Sequence, residues 1–369
     1  MKKIALLRAN PKDAGFLKIL YSLAKEYKVD CYIWDRQGDY KSIEENANIE
    51  YKKCRIRAGF YRISTFLKLF LFESWLFLKL LVAKVDCIHA IDLDTGLVGL
   101  CAAKLRAKYF VYQCLDPYYA ALPKNWPNFL ARLAKKLENI VISHADIFII
   151  TDLLRMPQHE GSRPKQIIEI ANVPYLDISQ IRGSKVDGFV TGYIGSLIEG
   201  RNLTTIIEAI GEIKDQGVKL IIGGFGPLEE KIKEIARKYE NISYTKWIPY
   251  TKVLEIENSF DIFIHITDKE NEGQKWVSPN KLFESMAFSK PIIVGEGTLA
   301  AKRVASIGNG MAIQYGSMEE LKKAILKFKN NPNIIQEMGE KGRKEFDNNW
   351  SPEVMESRLL EAYIKLIGK

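Results

Sequence analysis

The chain has 369 residues, 47% of them hydrophobic and 27% charged, and a formal net charge of +9 at pH 7. This length exceeds what one compact core usually organises, and the balanced composition excludes a disordered or fibrous chain. The charge is unevenly divided, because residues 1–185 hold 29 Lys and Arg against 19 Asp and Glu, whereas the remainder is close to neutral. We therefore expect the first half to face an anionic partner, which could be a nucleic acid, an acidic lipid surface or a phosphorylated substrate.

Short apolar runs alternate with helical patterns through the first half of the chain. Strands are predicted at residues 3–8, 29–34, 87–91, 108–112 and 147–150, and a helix at residues 16–26. Apolar strands separated by helical segments are typical of a parallel sheet. Polar, turn-rich residues 174–188 then interrupt the alternation, and we expect them to link two domains.

The same alternation resumes after the linker. Strands are predicted at residues 189–194, 218–222, 242–245, 261–266 and 291–294, and helices at residues 203–215, 228–239 and 279–288. The sequence therefore predicts an α/β fold with two successive units of similar size.

One segment, residues 66–82, is strongly apolar and aromatic. Lys68, Glu73 and Lys79 interrupt it and argue against a membrane-spanning helix. The two lysines are eleven residues apart and fall on nearly the same helix face, so the helix is expected to be amphipathic. A basic cluster precedes it, formed by Lys52, Lys53, Arg55, Arg57 and Arg62. The segment is either a helix packed on the sheet or an interfacial helix that rests on anionic lipid.

Cysteines and histidines point away from disulfide and metal chemistry. Five cysteines without CxxC spacing are typical of reduced thiols in a cytosolic protein, and the apolar run near the N-terminus is too short for a signal peptide. The four histidines lack zinc-binding spacing. Asp92 and Asp94 imitate a metal-binding DxD pair, but they lie far from the glycine-rich turns described next. We therefore expect no metal site.

Two glycine-rich turns follow predicted strands of the second half. Gly195 follows directly after the predicted strand at residues 189–194, and Arg201 lies just before the next helix. Backbone amides can approach a phosphate at such a turn, and the helix N-terminus adds a partial positive charge. The second turn contains Gly224 but lacks the GxGxxG spacing, which disfavours a nicotinamide cofactor.

A third loop leads into the predicted helix at residues 279–288. Ser278 is predicted to be its N-cap and Pro279 its first residue. Lys281 and Glu284 are three residues apart and share a helix face. They could hold a diphosphate and a ribose, or they could form only a surface ion pair. All three loops follow strands of one parallel sheet, so we expect them to meet at one edge.

Taken together, these segments resemble a known family. The order YIGSLIEGRNL (193–203), LIIGGFGP (220–227) and SPNKLFESMAFSKPII (278–293) is similar to the nucleotide-sugar-binding half of family 4 glycosyltransferases. The N-terminal half resembles that family only in style, through IHAIDLDTG at 88–96 and ANVP at 171–174.

The resemblance implies the GT-B fold, in which two Rossmann-like domains face each other across a cleft. It places an acceptor-binding domain at residues 1–175 and a nucleotide-sugar-binding domain at residues 176–350. Residues 351–369 are expected to form a C-terminal helix that packs back toward the N-terminal domain.

The resemblance also assigns residues to roles. Arg201 matches a cation that contacts the donor diphosphate, and Glu284 matches the second glutamate of the E-x7-E motif, which holds the ribose. Further donor-binding residues are predicted around these two: Gly195, Ser196, Gly224, Lys275, Ser278, Asn280, Lys281 and Leu282. The predicted catalytic residues are Arg201, Lys281 and Glu272. The predicted acceptor-binding residues are Gly15, Asp94 and Asp116.

The sequence departs from the family pattern at three places. Trp276 stands eight residues before Glu284, so the first glutamate of E-x7-E is absent, and Glu272 could substitute for it if its loop folds back. Ser196 stands where many members have a second arginine, for which a nearby lysine could compensate. Leu115 and Asp116 stand where many members have a His-Asp pair, so Asp116 could also be a structural turn residue.

As function, the resemblance implies a retaining, metal-independent glycosyltransferase without a further cofactor. Its donor would be a nucleotide sugar of the UDP or GDP type, and its acceptor a glycan or a lipid-linked saccharide. We predict a role in polysaccharide or glycolipid assembly, in the cytoplasm or peripherally on the inner, anionic face of the membrane. No nucleic-acid partner is expected, because no RNP, KH, zinc-finger or helix-turn-helix pattern occurs. The alternatives are a sugar-nucleotide epimerase or hydrolase of the same fold and a non-catalytic glycosyltransferase-like subunit.

Overall fold

The computed structural model describes residues 1–11, 14–38, 40, 46–58, 63–122, 127–174, 176, 178–183 and 186–369. The chain divides into two compact units. The N-terminal unit comprises Met1–Ala171 together with Met355–Lys369, and the C-terminal unit comprises Asn172–Val354.

The N-terminal unit is built on a sheet of seven parallel strands in the order β3-β2-β1-β4-β5-β6-β7. The strands are β1 (Lys3–Arg8), β2 (Lys28–Trp34), β3 (Ile49–Cys54), β4 (Cys87–Ile91), β5 (Tyr109–Cys114), β6 (Ile147–Ile150) and β7 (Ile167–Glu169). The order reverses between β1 and β4, as in doubly wound α/β sheets. The central strands are buried on both faces, which explains their continuous apolar runs.

Helices cover both faces of this sheet. They are α1 (Ala14–Ala24), α2 (Ile63–Val82), α3 (Leu93–Leu105), α4 (Tyr118–Ala121), α5 (Asn128–Ser143) and, from the other end of the chain, α14 (Pro352–Ile367). One hydrophobic core joins α2, α3 and α5 to one face, and a second joins α1 and α14 to the other. The Tyr363 hydroxyl of α14 lies 2.8 Å from His89 Nδ1 on β4. The C-terminal helix thus packs in the core of the N-terminal unit.

The C-terminal unit has a second parallel sheet, in the order β10-β9-β8-β11-β12-β13. Its strands are β8 (Phe189–Ser196), β9 (Val218–Phe225), β10 (Ile242–Thr245), β11 (Ile262–His265), β12 (Ile292–Gly295) and β13 (Gly310–Ile313). Its helices are α6 (Leu203–Glu212), α7 (Glu229–Ala236), α8 (Tyr250–Glu257), α9 (Glu272–Lys275), α10 (Asn280–Ala287), α11 (Leu299–Ile307), α12 (Met318–Lys329) and α13 (Pro332–Glu345). A π-helical segment, Phe346–Trp350, follows α13.

Two of the elements that differ from the sequence predictions do so for identifiable reasons. β3 was not predicted, because it lies at the sheet edge. Most of its residues are at least partly exposed, and polar residues interrupt any apolar run. The helix predicted at residues 203–215 ends at Glu212. A short 3-10 turn follows and ends at Gly217, whose φ of 69° is left-handed.

Helix α2 corresponds to the apolar segment at residues 66–82. It is the longest helix described, at 20 residues, but it is charged within its length. Over the described residues, none of the helices combines the length and apolarity needed to cross a membrane.

Candidate functional site

The glycine-rich turns bring the ends of β8 and β9 into close backbone contact. A Cβ on Gly224 would lie 1.8 Å from the Gly195 carbonyl oxygen, and Gly224 has a φ of 130°. Any side chain at position 224 would therefore push the two strands apart. Strand packing alone explains this glycine, and its role in approaching a donor phosphate stays a prediction.

Arg201 is held by a histidine that the sequence analysis did not assign to the site. Its Nη1 donates a hydrogen bond to His265 Nε2 at 2.6 Å, and His265 is the last residue of β11. Because a guanidinium can only donate, Nε2 is the acceptor and the imidazole carries its hydrogen on Nδ1. Burial, followed by the charges of Arg201 and Lys281, lowers the pKa of His265 well below its ordinary value. A neutral histidine therefore orients the cation.

Helix α10 begins one residue later than predicted. Pro279 has a ψ of 141°, which is extended, so it is the N-cap residue and Asn280 is the first helical residue. Proline has no side-chain oxygen, so the expected cap by Ser278 is wrong in this respect. Asn280, Lys281 and Leu282 occupy the first turn, where the free amides of the helix lie.

A buried polar cluster lies below that turn, between α10 and α8. The Lys281 ammonium is 2.5 Å from Glu257 Oε1 and 2.8 Å from Glu284 Oε2. The Tyr250 hydroxyl donates to Glu284 Oε1 at 2.8 Å. Both carboxylates are fully buried. We call these four residues the Glu257–Lys281 cluster.

In this cluster the single ammonium of Lys281 contacts two carboxyl groups, which affects the pKa values of Lys281 and Glu257. Burial, and then the negative charge of Glu284, raises the pKa of Glu257 well above its ordinary value. Burial lowers the pKa of Lys281, but the two carboxylates more than offset this, and the net shift is upward. One buried lysine thus faces two buried carboxyl groups, and the pKa of one of them, Glu257, is raised.

The cluster decides one of the alternatives that the sequence left open for Lys281 and Glu284. The alternative of a surface ion pair is wrong, since Glu284 is fully buried and the Lys281 side chain is 11% exposed. Lys281 has two carboxylate partners, and its contact with a diphosphate stays a prediction. Each oxygen of Glu284 accepts one of these hydrogen bonds and keeps a second lone pair, which a ribose hydroxyl could use.

The predicted substitute for the missing glutamate lies on the surface. Glu272 begins the short helix α9, and its carboxylate accepts from Trp276 Nε1 at 3.0 Å. Lys275 Nζ lies 3.7 Å from the same carboxylate and 5.4 Å from the centre of the Trp276 ring. Asn271 caps α9 by accepting from the Gly273 amide. Trp276, which replaces the family glutamate, thus organises this loop.

Two exposed aromatic side chains lie at the carboxyl ends of neighbouring strands. Phe225 is the last residue of β9, and Trp247 follows β10 by two residues. Among the described residues of the C-terminal unit, they are the exposed large hydrophobic side chains. Open α/β sheets bind ligands at this edge, and a flat exposed ring offers a surface for a nucleoside base.

The predicted acceptor residues all follow carboxyl ends of adjacent strands in the N-terminal sheet. Gly15 lies in the first turn of α1, Asp94 in the first turn of α3, and Asp116 after β5. Burial, and then the charge of Asp92, raises the pKa of Asp94. Asp116 Oδ1 lies 3.3 Å from Arg155 Nη2. The structure groups the three at one edge of the sheet, and their acceptor role stays a prediction.

Asp92 has a structural explanation. It has a left-handed φ of 61°, and its carboxylate accepts from the Leu115 amide at 2.8 Å and pairs with Arg8. These contacts join the ends of β1, β4 and β5.

Comparison with known proteins agrees with this architecture. Residues 176–345 match the model of the family "Glycosyl transferases group 1". The chain is 24% identical over 183 residues to the capsular polysaccharide biosynthesis glycosyltransferase CapM of Staphylococcus aureus, a match that covers 48% of this chain and 46% of CapM. The chain thus spans about half the length of the curated relatives it matches.

Solved structures match both units. Sucrose-phosphate synthase from Thermosynechococcus elongatus aligns with a TM-score of 0.79 at 14% identity, over 99% of each chain. Anabaena Alr3699/HepE, solved in complex with UDP-glucose, aligns with a TM-score of 0.72 at 15% identity, over 99% of this chain and 100% of that one. The chain therefore has the two Rossmann-like domains of the GT-B fold, and its residues 176–345 are similar to the group 1 glycosyltransferases.

Proposed function

We propose that this protein transfers a sugar from a UDP- or GDP-type nucleotide sugar to an acceptor hydroxyl, as a retaining, metal-independent enzyme of family 4. The observation that carries the proposal is the pairing of Arg201 with the buried neutral His265. β8 and β11 are neighbours in the sheet, so the loop bearing Arg201 lies at the carboxyl edge beside His265. A cation fixed in this way is suited to a diphosphate whose charge grows as the sugar leaves.

The reaction requires one bond exchange at the anomeric carbon. The bond from that carbon to the diphosphate oxygen breaks, and a bond to the acceptor oxygen forms on the same face of the sugar. Arg201 and the first amides of α10 stabilise the departing diphosphate electrostatically. The acceptor proton passes to the departing phosphate oxygen, so this step uses no separate protein base.

Glu284 is the residue we assign to the donor ribose. Its two oxygens are held by Lys281 and Tyr250, so the carboxylate is oriented before the donor arrives. A ribose hydroxyl would donate to a remaining lone pair of this carboxylate. Glu284→Gln should then weaken nucleotide and nucleotide sugar alike, because both contain ribose.

We propose a glycan or lipid-linked saccharide as the acceptor, in polysaccharide or glycolipid assembly. Two points support this: the resemblance to a capsular polysaccharide glycosyltransferase and the net positive charge of the first half of the chain. A lipid-linked acceptor would bring the protein to the cytoplasmic surface of a membrane as a peripheral protein. Asp94 and Asp116 are the acceptor contacts that we propose at the edge of the N-terminal sheet.

The test is release of nucleoside diphosphate from a panel of UDP and GDP sugars by the purified full chain, with and without saccharide acceptors. Acceptor-dependent release with product of retained configuration would support the proposal. Acceptor-independent release would indicate a hydrolase, and tight nucleotide binding without turnover would indicate a non-catalytic subunit. Arg201→Ala and the matched charge-retaining variant Arg201→Lys separate the electrostatic role of the cation from folding. A chelator should leave the activity unchanged.

A further inference from the structure

Three neighbouring helices of the N-terminal unit expose large apolar side chains to solvent. Helix α3 contacts both α2 and α5, and all three cover the same face of the sheet. Nine of the fifteen exposed large hydrophobic side chains among the described residues lie on these helices, between 40% and 76% exposed. They are Leu67, Phe70, Leu71, Leu78, Val82, Leu105, Phe129, Leu133 and Ile140. We call the surface that they form the outer helical face.

Helix α2 shows the pattern most clearly, because it is apolar on two sides. Phe72, Leu76 and Leu80 are fully buried in the core. The opposite side carries Leu67, Phe70, Leu71, Leu78 and Val82, all at least half exposed. An ordinary surface helix has polar residues on that side. The core thus accounts for only one of the two apolar sides.

The charged side chains that accompany these apolar groups at the surface are basic. They are Lys68 and Lys79 on α2, Lys104 on α3, and Arg132, Lys135 and Lys136 on α5. In the described part of the chain, none of these six forms an ion pair with an acidic side chain. The outer helical face is therefore apolar with uncompensated positive charge.

The acidic residues of the same helices are buried, half-buried or hydrogen-bonded to other side chains of the unit. Glu138 of α5 is buried and accepts from the Tyr112 hydroxyl at 2.9 Å. Asp94 of α3 is bonded to Tyr118. Glu73 of α2 is half-buried, and burial, followed by the charge of Asp94, raises its pKa to about 7. These acids cancel little of the positive charge outside.

A shallow groove runs along α5 within the basic part of this surface. It measures about 440 Å³ and is lined by Arg132, Lys135 and Lys136 together with Ser143 and His144. Three cationic side chains beside hydroxyl and imidazole groups form a surface suited to phosphate-bearing headgroups.

The basic cluster that precedes α2 in sequence contributes less than expected. Lys52 Nζ lies 2.8 Å from Asp30, and Lys53 Nζ donates to the Tyr40 carbonyl at 2.9 Å. Arg55 and Arg57 are exposed, and Arg62 lies outside the described residues. The unpaired positive charge beside the apolar side chains thus comes mainly from the helices themselves.

We propose that the outer helical face of α2, α3 and α5 docks on an anionic lipid bilayer. Its leucines and phenylalanines would enter the interfacial layer, and its lysines and arginines would meet headgroup phosphates. A second copy of the chain would set positive charge against positive charge. A nucleic acid would leave the apolar side chains in water. Because the face would carry the protein to a lipid-linked acceptor, the inference rests on the proposed function.

The test is flotation of the full chain with phosphatidylcholine vesicles, with and without phosphatidylglycerol, at low and at high salt. We expect binding to the anionic vesicles that salt weakens and little binding to neutral ones. Lys79→Glu/Lys104→Glu/Lys136→Glu should lower the affinity at least about tenfold. Leu78→Ser/Leu105→Ser/Phe129→Ser should lower it at unchanged charge. Lys231→Glu/Arg237→Glu/Lys238→Glu, at three exposed basic residues of the C-terminal unit, is the charge-matched control and should have little effect.

The outcomes separate this inference from the proposed function. All substituted side chains are exposed, so thermal unfolding should match that of the wild type, and nucleotide binding measured without vesicles should be unchanged. Absence of vesicle binding at low salt by a folded, nucleotide-binding protein would overturn the docking face and leave the proposed function intact. Equal loss in the control variant would overturn the assignment to these helices. Concentration-dependent dimerisation or RNA binding abolished by the same variants would assign the face to those partners instead.

Discussion

The two units treat electrostatic charge in opposite ways, although both are parallel sheets covered by helices. Several surface helices of the C-terminal unit pair charges along the helix, as in Lys341–Glu337 at 2.7 Å on α13. That unit also buries the Glu257–Lys281 cluster next to its candidate site. On the outer helical face of the N-terminal unit, six basic groups instead lie among exposed apolar side chains and form no ion pair with an acidic residue of the described part of the chain.

This difference shows that the sheet architecture does not decide what the outer surface of a unit does. Paired surface charge keeps a helix in water at little cost. Exposed leucines are unfavourable in water, and together with basic groups they suit an anionic lipid interface. The same fold thus carries, as we propose, a ligand site in one unit and a docking surface in the other.

The largest predicted loss of stability lies inside the C-terminal unit. Lys281→Met removes the cation and leaves two buried acids without it, so we expect the free energy of unfolding to fall by about 3–5 kcal/mol. Urea unfolding followed by circular dichroism measures this loss. Glu257→Gln/Lys281→Met should recover part of it, because one of the acids is gone. A loss below about 1 kcal/mol in the single variant would show that the ammonium is not the partner of both acids.

The second prediction concerns Arg201. Removing its guanidinium in Arg201→Ala should weaken nucleoside diphosphate binding by about 1.5–3 kcal/mol, the range for a charge-assisted hydrogen bond. Isothermal titration calorimetry measures the affinity. Arg237→Ala, on the surface of the same unit, is the matched control and should bind normally. Unchanged affinity in Arg201→Ala would mean that the diphosphate binds elsewhere.

A third prediction concerns pH and applies to both units. Burial lowers the pKa of His89 and of His159 to about 3 and that of His265 well below its ordinary value. These histidines stay neutral when folded but bind a proton below about pH 6.5 when unfolded. Stability therefore falls as the pH falls below that point, by up to about 1.4 kcal/mol per pH unit for each histidine.

Urea unfolding between pH 7.5 and pH 5 tests this dependence. His159→Gln should reduce the slope of stability against pH, since glutamine does not titrate. His144→Gln, at an exposed histidine, is the control and should keep the wild-type slope. An unchanged slope in the first variant would contradict the neutral state of His159.

The smallest predicted effect distinguishes the two surfaces directly. Glu337→Ala breaks a surface pair within one helix, and we expect a small loss of stability at low salt and a smaller one at high salt. Lys104→Ala should cost nothing measurable, because Lys104 forms no ion pair within the described residues. Parallel urea titrations at two salt concentrations compare them. A loss in Lys104→Ala of similar size would reveal a partner for that lysine.

Much of the fold follows from the sequence alone, because its signals are local. Apolar runs separated by helical patterns indicate two parallel α/β units. Central strands such as β4 are buried at every position, so they are predicted from mainly apolar sequence runs. The glycine-rich turn that contains Gly224 predicted a close backbone approach to a ligand, and the structure shows a close approach of two strand ends there. Arg201 and Glu284 were found as site candidates because the segments that bear them resemble a family pattern. The edge strand β3 escaped, because a half-exposed strand carries a weaker pattern.

Tertiary structure decided which groups these residues meet and which faces are covered. His265 orients Arg201 from 64 residues away, and Tyr250 holds Glu284 from 34 residues away, at separations that no local pattern records. Glu257 belongs to the cluster because α8 packs beside α10, which the sequence does not show. For α2, composition left a core helix and an interfacial helix equally open. Packing buries Phe72 and exposes Leu67, because the sheet can cover only one side of a helix that is apolar on two.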